Sequence, residues 1–355
     1  MKIYWRPSAA LARLTESVAP ILQICLGVLA AYSIAHFGLG HAIPLFAVTV
    51  TITTLGFTRD ARPRRVAETG LGMIIGIALS EVLSLLFGQG LWQMAVVLML
   101  SLAAARLISG SASFALTVGI QAMLVQLLAA PEGGAFVRSI DGIIGGVTAL
   151  AVTALIPRDP RRMANKDASK LFEVFLATIA DVRKALLSKD FKVADEALVK
   201  VRRSQPLIDN WRLSLDSAIS ISRISPFMRK YRDELRGQVR LMRGMDLATR
   251  NLRVVVRRID FLLRDGVARP YLADLLEQLD AAVRLLESGL TEPQDLDAAQ
   301  ESLLEIIHQL DPKRFGIADQ LREASVLLLL RPMLVDLLCA AGMSEDDARD
   351  ELPPV

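Results

Sequence analysis

Two stretches decide the fold: Arg65-Val66-Ala67-Glu68-Thr69-Gly70-Leu71-Gly72 and Arg138-Ser139-Ile140-Asp141-Gly142-Ile143-Ile144-Gly145. In each, an Arg, an acid and a Gly stand at i, i+3 and i+7, which places them on one helical stripe. Each stretch opens a long apolar run. A charged end that meets an interface, followed by small residues that let helices approach closely, is a membrane-helix pattern, and it occurs twice.

The composition agrees. Mean hydropathy is +0.40 and 52% of the residues are hydrophobic, yet 22% are charged. Only 15 of the 79 charged residues precede Pro157, which resolves the conflict into two domains. Residues 1–157 read as a transmembrane domain and 158–355 as a cytosolic all-helical domain. The net charge of +3 falls entirely in the first part. No basic face stands apart from Asp and Glu, so nucleic acid is not an expected partner. Cys25 and Cys339 are the only cysteines and provide no disulfide framework.

Apolar runs at about 18–38, 42–57, 67–87, 91–108, 112–130 and 137–156 predict six membrane helices. The second run is short for a hydrocarbon core of about 30 Å. Arg59–Arg65, Arg106 and Arg158–Arg162 alternate with Gly38–Ala42, Gly88–Gly90 and Pro131–Val137, which lack Lys and Arg. The positive-inside rule then puts both termini in the cytoplasm of a cell (inner) membrane. With three helices per copy, the second copy runs opposite to the first. The fold expectation is therefore all-α, with an inverted three-helix repeat covering about 17–87 and 91–157; Leu29-Ala30-Ala31 and Leu102-Ala103-Ala104 match at the same offset.

After Pro157 the pattern turns amphipathic, with helices expected at about 166–188, 190–204, 207–224, 227–264, 271–289, 293–310 and 317–341. The last contains Val326–Leu330, but Arg331, Pro332 and Asp336 oppose a seventh span.

No phosphate loop, HExxH or Cys-x-x-Cys is present, and His36, His41 and His308 are scattered, so neither metal, cofactor nor enzymatic activity is expected. The chemistry-bearing candidates are ionisable or polar residues at membrane depth. Arg65, Arg138, Arg106 and Gln121 are substrate-pathway candidates, since guanidinium binds carboxylate in bidentate fashion. Glu68, Asp141 and Glu81 are candidate proton acceptors. Structural roles compete with these: an intrahelical Arg–acid pair at each stretch, and snorkelling for Arg106. Gly72, Gly76, Gly142, Gly145 and Gly146 read as helix-packing positions.

At these residues the chain resembles the fusaric-acid-resistance/aromatic acid exporter superfamily, related to plant aluminium-activated malate transporters. Arg65, Thr69 and Gly72 fit that family's third-helix start, with Glu68 in place of the usual small residue. Arg138 to Gly145, leading to Pro157, is similar to its sixth-helix start, and Met245–Arg253 looks like its actinobacterial members. The resemblance implies a six-helix unit with a helical cytosolic region, working as a homodimer in the lipid bilayer. It also implies export or conduction of organic anions, with aromatic carboxylates as a candidate class. The competing expectation is a membrane-anchored scaffold whose cytosolic helices bind a partner.

Overall fold

The computed structural model describes residues 7–56, 63–128, 134–156, 160–317 and 320–354, which are helical throughout and contain no strand. The chain divides into two units, Met1–Arg158 with Ile219–Lys230, and Asp159–Ala218 with Tyr231–Val355.

The first unit holds six helices: α1 (Pro7–Ser33), α2 (Leu45–Leu55), α3 (Pro63–Phe87), α4 (Leu91–Ile108), α5 (Ala112–Leu127) and α6 (Val137–Leu155). A π-helical turn, Ile34–Gly38, continues α1. Four of these elements carry apolar stretches long enough to cross a membrane: Ser17–Gly38, Val66–Phe87, Leu91–Ile108 and Val137–Leu155. α5 is shorter, and α2 has only 11 helical residues where the apolar run suggested about 16. Pro44, which has no N–H to donate, stands before it, and Gly56 at φ 42° ends it, so α2 rises only about 16 Å.

Polarity in this unit is inside out. Leu71, Leu85, Leu86, Leu116, Ile120 and Val147 are more than half exposed, while Thr51, Ser80, Glu81, Gln121, Arg138 and Asp141 are buried. Water as the surrounding solvent would reverse that distribution; lipid requires it. Two of the buried hydroxyls bond backbone: Thr51 Oγ1 donates to Ala47 and Gly145 carbonyls, at 2.7 and 3.1 Å, and Ser80 Oγ to Ala122 at 2.9 Å.

Helix pairing follows the small residues. A Cβ on Gly145 would stand 2.6 Å from the Ala47 carbonyl oxygen, so only Gly lets α6 lie this close to α2. Gly72 and Gly76 face Phe114 and Val118 of α5, while Gly142 and Gly146 face Ile74 and Ile77 of α3. Thus α2 packs on α6 and α3 on α5, α3 and α6 pack on each other, and α1 packs on α2 as α4 does on α5.

The second unit is built from α7 (Pro160–Ser188), α8 (Phe191–Arg202), most of α9 (Gln205–Ile224), α10 (Arg232–Leu263), α11 (Pro270–Ser288), α12 (Asp295–Ile307), α13 (Leu321–Ala341) and α14 (Glu345–Asp350). Its core is conventional: Phe172, Phe175, Trp211, Leu215, Val255 and Leu334 are buried beneath charged surfaces. The helix expected from Phe227 begins later. Pro226 starts a 3-10 segment that runs to Tyr231, and α10 opens with Asp233 and Glu234 in its first turn, where acids suit the helix dipole.

α13 is the fifth helix apolar and long enough to span a membrane. It lies against α10 and α12, so closely that a Cβ on Gly244 of α10 would stand 2.5 Å from the Ala340 Cβ. Its charges have partners within the unit: Asn251 donates to Asp336 at 2.6 Å, and Arg331 Nη2 donates to the Pro353 carbonyl at 2.6 Å. The Met245–Arg253 stretch supplies much of this wiring. Asp246 accepts from Arg250 at 3.0 and 2.8 Å and from Arg212 at 3.2 Å, and Arg253 donates to Ser204 at 3.1 Å.

Candidate functional site

The buried charges of the first unit converge where α3 and α5 end and α6 begins. Phe136 precedes α6 in a left-handed conformation, φ 70°, and its side chain makes no capping bond. The first N–H groups of α6 are therefore open to another acceptor. Glu81 of α3 provides it: one carboxylate oxygen accepts from the Arg138 N–H at 3.3 Å, the other from the Ser139 N–H at 3.2 Å and from the Ser139 hydroxyl. A carboxylate so placed satisfies orphan donors and also meets the positive end of the helix dipole.

Arg138 performs the opposite service. Its Nη1 donates to the Val125 carbonyl at 2.7 Å and its Nη2 to Leu128 at 2.9 Å, at the C-terminal end of α5 where carbonyls lack helical partners. Its guanidinium lies 6.0 Å from the Phe46 ring centroid and within electrostatic reach of Glu81.

Asp141 does not pair with Arg138 as an intrahelical ion pair. Its side chain is 3% exposed, and its Oδ1 lies 2.6 Å from Nδ1 of His41, in the connection between the π-turn and α2. Side chains at i and i+3 need not meet when each finds a closer partner on another helix. His36 Nδ1 in turn stands 2.8 Å from the His41 carbonyl oxygen. Four elements thus contribute to one cluster, buried at Glu81, Arg138, Ser139 and Asp141 and half-buried at His41 and His36.

Deeper in the unit, Thr49 Oγ1 donates to Gln121 Oε1 at 3.5 Å, and Gln121 Nε2 stands 4.0 Å from the Met73 sulfur. Arg106 is apart from all this. It is exposed, and its Nη1 donates to the Gly110 carbonyl at 2.6 Å in the loop after its own helix. Glu68 is exposed near the start of α3, and the side chain of Arg65 lies outside the described residues. The structure therefore joins Arg138, Asp141 and Glu81 and leaves Arg106 and Glu68 elsewhere.

His36, His41 and Ser139 are the members that sequence reasoning missed. The histidines were weighed only as metal ligands, and no group of three or more metal-ligating side chains occurs among the described residues. A signal existed nonetheless: His41 is the one ionisable residue in the otherwise uncharged connection Gly38–Pro44.

Residues 12–152 match the family described as "Fusaric acid resistance protein-like". The resemblance read from the sequence thereby holds for this part of the chain. An uncharacterized protein of Corynebacterium glutamicum is 29% identical over 353 residues, 97% of this chain and 90% of that protein. Proteins of Mycobacterium bovis and Mycobacterium tuberculosis named "Putative arylamide transporter" are 27% identical over 158 residues, which span 43% of this chain and 44% of theirs. With its apolar helices, the chain is a multi-pass membrane protein.

Proposed function

From the membership of residues 12–152 in the fusaric acid resistance protein-like family, we propose that the first unit is a secondary transporter or conducting unit for organic anions, aromatic acids among them. The observation that carries this reading is the cluster of Glu81, Arg138, Asp141 and His41. Ionisable groups are expensive at membrane depth, and while Glu81 and Arg138 satisfy helix ends, the Asp141–His41 pair caps none, so a bundle that needed only to anchor would have no use for it. The names of the mycobacterial relatives point the same way.

The architecture proposed is the inverted repeat. Exchanging α1, α2 and α3 for α4, α5 and α6 turns the α2–α6 contact into α5–α3, α1–α2 into α4–α5, and α1–α6 into α4–α3, all of which occur. That exchange supports a pseudo-two-fold relation of the kind on which alternating access is built. The loop charges support termini on the cytoplasmic side of the inner membrane, with 158–355 proposed as a cytosolic helical domain. The homodimer implied by the family belongs to the same proposal. Arg138, Arg65 and Gln121 are the proposed anion contacts. Glu81, with three donors on its carboxylate, acts chiefly as the cap of α6.

Thiol accessibility tests this reading. In a chain with Cys25 and Cys339 replaced by Ser, Gln121→Cys and Thr49→Cys on a conducting path react with a membrane-impermeant maleimide and are protected by aromatic carboxylate. Complete inertness of both positions contradicts a path.

A scaffold reading draws on one observation. The exposed line of α10 and the residue after it runs Arg240, Arg243, Leu247, Arg250, Val254, Arg257, Phe261, Arg264, alternating three and four residues apart, a basic and apolar stripe in which Arg250 and Arg264 pair with Asp246 and Asp260. A docking stripe on the second unit is compatible with transport by the first.

A further inference from the structure

We propose that His41 is the group through which protons control anion passage, an inference that rests on the transport reading above. Among the ionisable members of the cluster, imidazole alone has an ordinary pKa, about 6.5, inside the physiological range. His41 is also placed to use it. Its Nδ1 holds Oδ1 of Asp141 at 2.6 Å, and its side chain keeps 15% exposure where that of Asp141 keeps 3%. The imidazole is therefore the more exposed member of the pair.

Charge counting gives the mechanism. Among the described residues, the groups that face His41 and Asp141 are His36 beyond α1, Glu81 of α3 and Arg138 of α6; α2, Leu45–Leu55, carries no ionisable residue. With His41 neutral and the Asp141 carboxyl ionised, these described charges sum to one negative. A proton taken up at Nε2 makes an imidazolium, leaves the Nδ1–H bond to Asp141 in place, and brings the sum to zero. An organic anion is repelled by the first state and tolerated by the second, since screening is weak away from water. Protonation and anion binding are then linked, and linkage is reciprocal: the anion must raise the protonated fraction of His41 by the same factor by which the proton raises anion affinity.

The connection Gly40–Pro44 gives this link a mechanical consequence. It is not helical, and it is tied to α6 by His41 and to the π-turn by the His36–His41 bond. The strength of the His41–Asp141 contact, a neutral hydrogen bond or an ion pair, therefore also sets how firmly this connection is held.

The test uses the full chain in lipid bilayers, labelled with 15N-histidine. Only His36, His41 and His308 contribute signals, and His41 is assigned by its loss in His41→Gln. The probe anion is benzenesulfonate, which remains ionised and does not leak as a neutral acid. The expected result is that benzenesulfonate raises the protonated fraction of His41 at fixed pH. Benzenesulfonate efflux from proteoliposomes at equal pH on both sides falls as the His41 signal passes to the neutral form with rising pH, and the profile is flat in His41→Gln. A His41 titration indifferent to the anion, or a mutant with the wild-type pH profile, overturns this proposal and leaves the transport reading standing. No wild-type efflux at any pH overturns both. If His41→Gln is inactive or misfolded, the wild-type titration and its response to the anion decide alone.

Discussion

Removing the carboxylate of Glu81 unfastens the start of α6. Glu81→Ala strips the acceptor from two buried N–H groups and one hydroxyl, those of Arg138 and Ser139. Each unsatisfied buried donor costs about 1–3 kcal/mol, and because the three share one acceptor the total is not their sum; about 3–5 kcal/mol is expected. Glu81→Gln retains one acceptor oxygen but turns an NH2 group toward Ser139, at about 2 kcal/mol. Ser139→Ala loses only the hydroxyl bond, at about 1 kcal/mol. The assay is the midpoint of thermal unfolding in one lipid at one scan rate, followed by tryptophan fluorescence, with Trp92 reporting from α4. At about 2–4 °C per kcal/mol the midpoints separate, with Glu81→Ala lowest and Ser139→Ala nearest wild type. Equal midpoints for Glu81→Ala and Ser139→Ala, or no change in the former, would refute the capping argument.

Helix contact makes a second prediction: Gly145→Ala places a Cβ 2.6 Å from the Ala47 oxygen and costs about 1–3 kcal/mol, whereas Gly70→Ala, whose nearest neighbour is 3.6 Å away, costs far less. Unfolding midpoints of the two variants check it, and equal losses would count against α2–α6 contact. In the second unit, the hydrogen bond from Arg269, with favourable charge from the same residue, holds the Asp265 carboxyl down at about 2. A depressed folded value contributes stability above the unfolded value near 3.8 and loses it as pH falls through the folded one. The stability difference between wild type and Asp265→Asn accordingly shrinks as pH drops from about 4 to about 2, and a difference indifferent to pH would contradict the assignment. Arg106→Gln, which touches only Gly110 of its own loop, changes stability by no more than about 0.5 kcal/mol by the same fluorescence measurement.

Hydropathy and glycine spacing made the helices legible, because in lipid the backbone must bond within each segment and small residues must lie where helices touch. Glycines at 72, 76, 142, 145 and 146 and the buried Glu81 stood out for that reason. Partner choice was less legible. Arg138 and Asp141 are neighbours on one helix, and local reasoning paired them, but Asp141 bonds a histidine 100 residues away and Arg138 serves the end of α5. Such contacts depend on how three helix ends meet, which no periodicity encodes. α2 was overestimated for a related reason: residues 42–44 are apolar enough to be helical, but Pro44 and the His41 contact hold them in an irregular connection. Likewise α13 reads as a span by composition, and its partners on α10 are visible only in three dimensions.

The most direct test of the central claim is efflux of a panel of radiolabelled aromatic carboxylates, with benzenesulfonate, from proteoliposomes containing wild type, Arg65→Ala or Arg138→Ala. The account predicts wild-type efflux above protein-free liposomes for at least one anion, reduced in Arg138→Ala and Arg65→Ala at equal protein content. Equal efflux from all three proteins, or none above the lipid control, would contradict it.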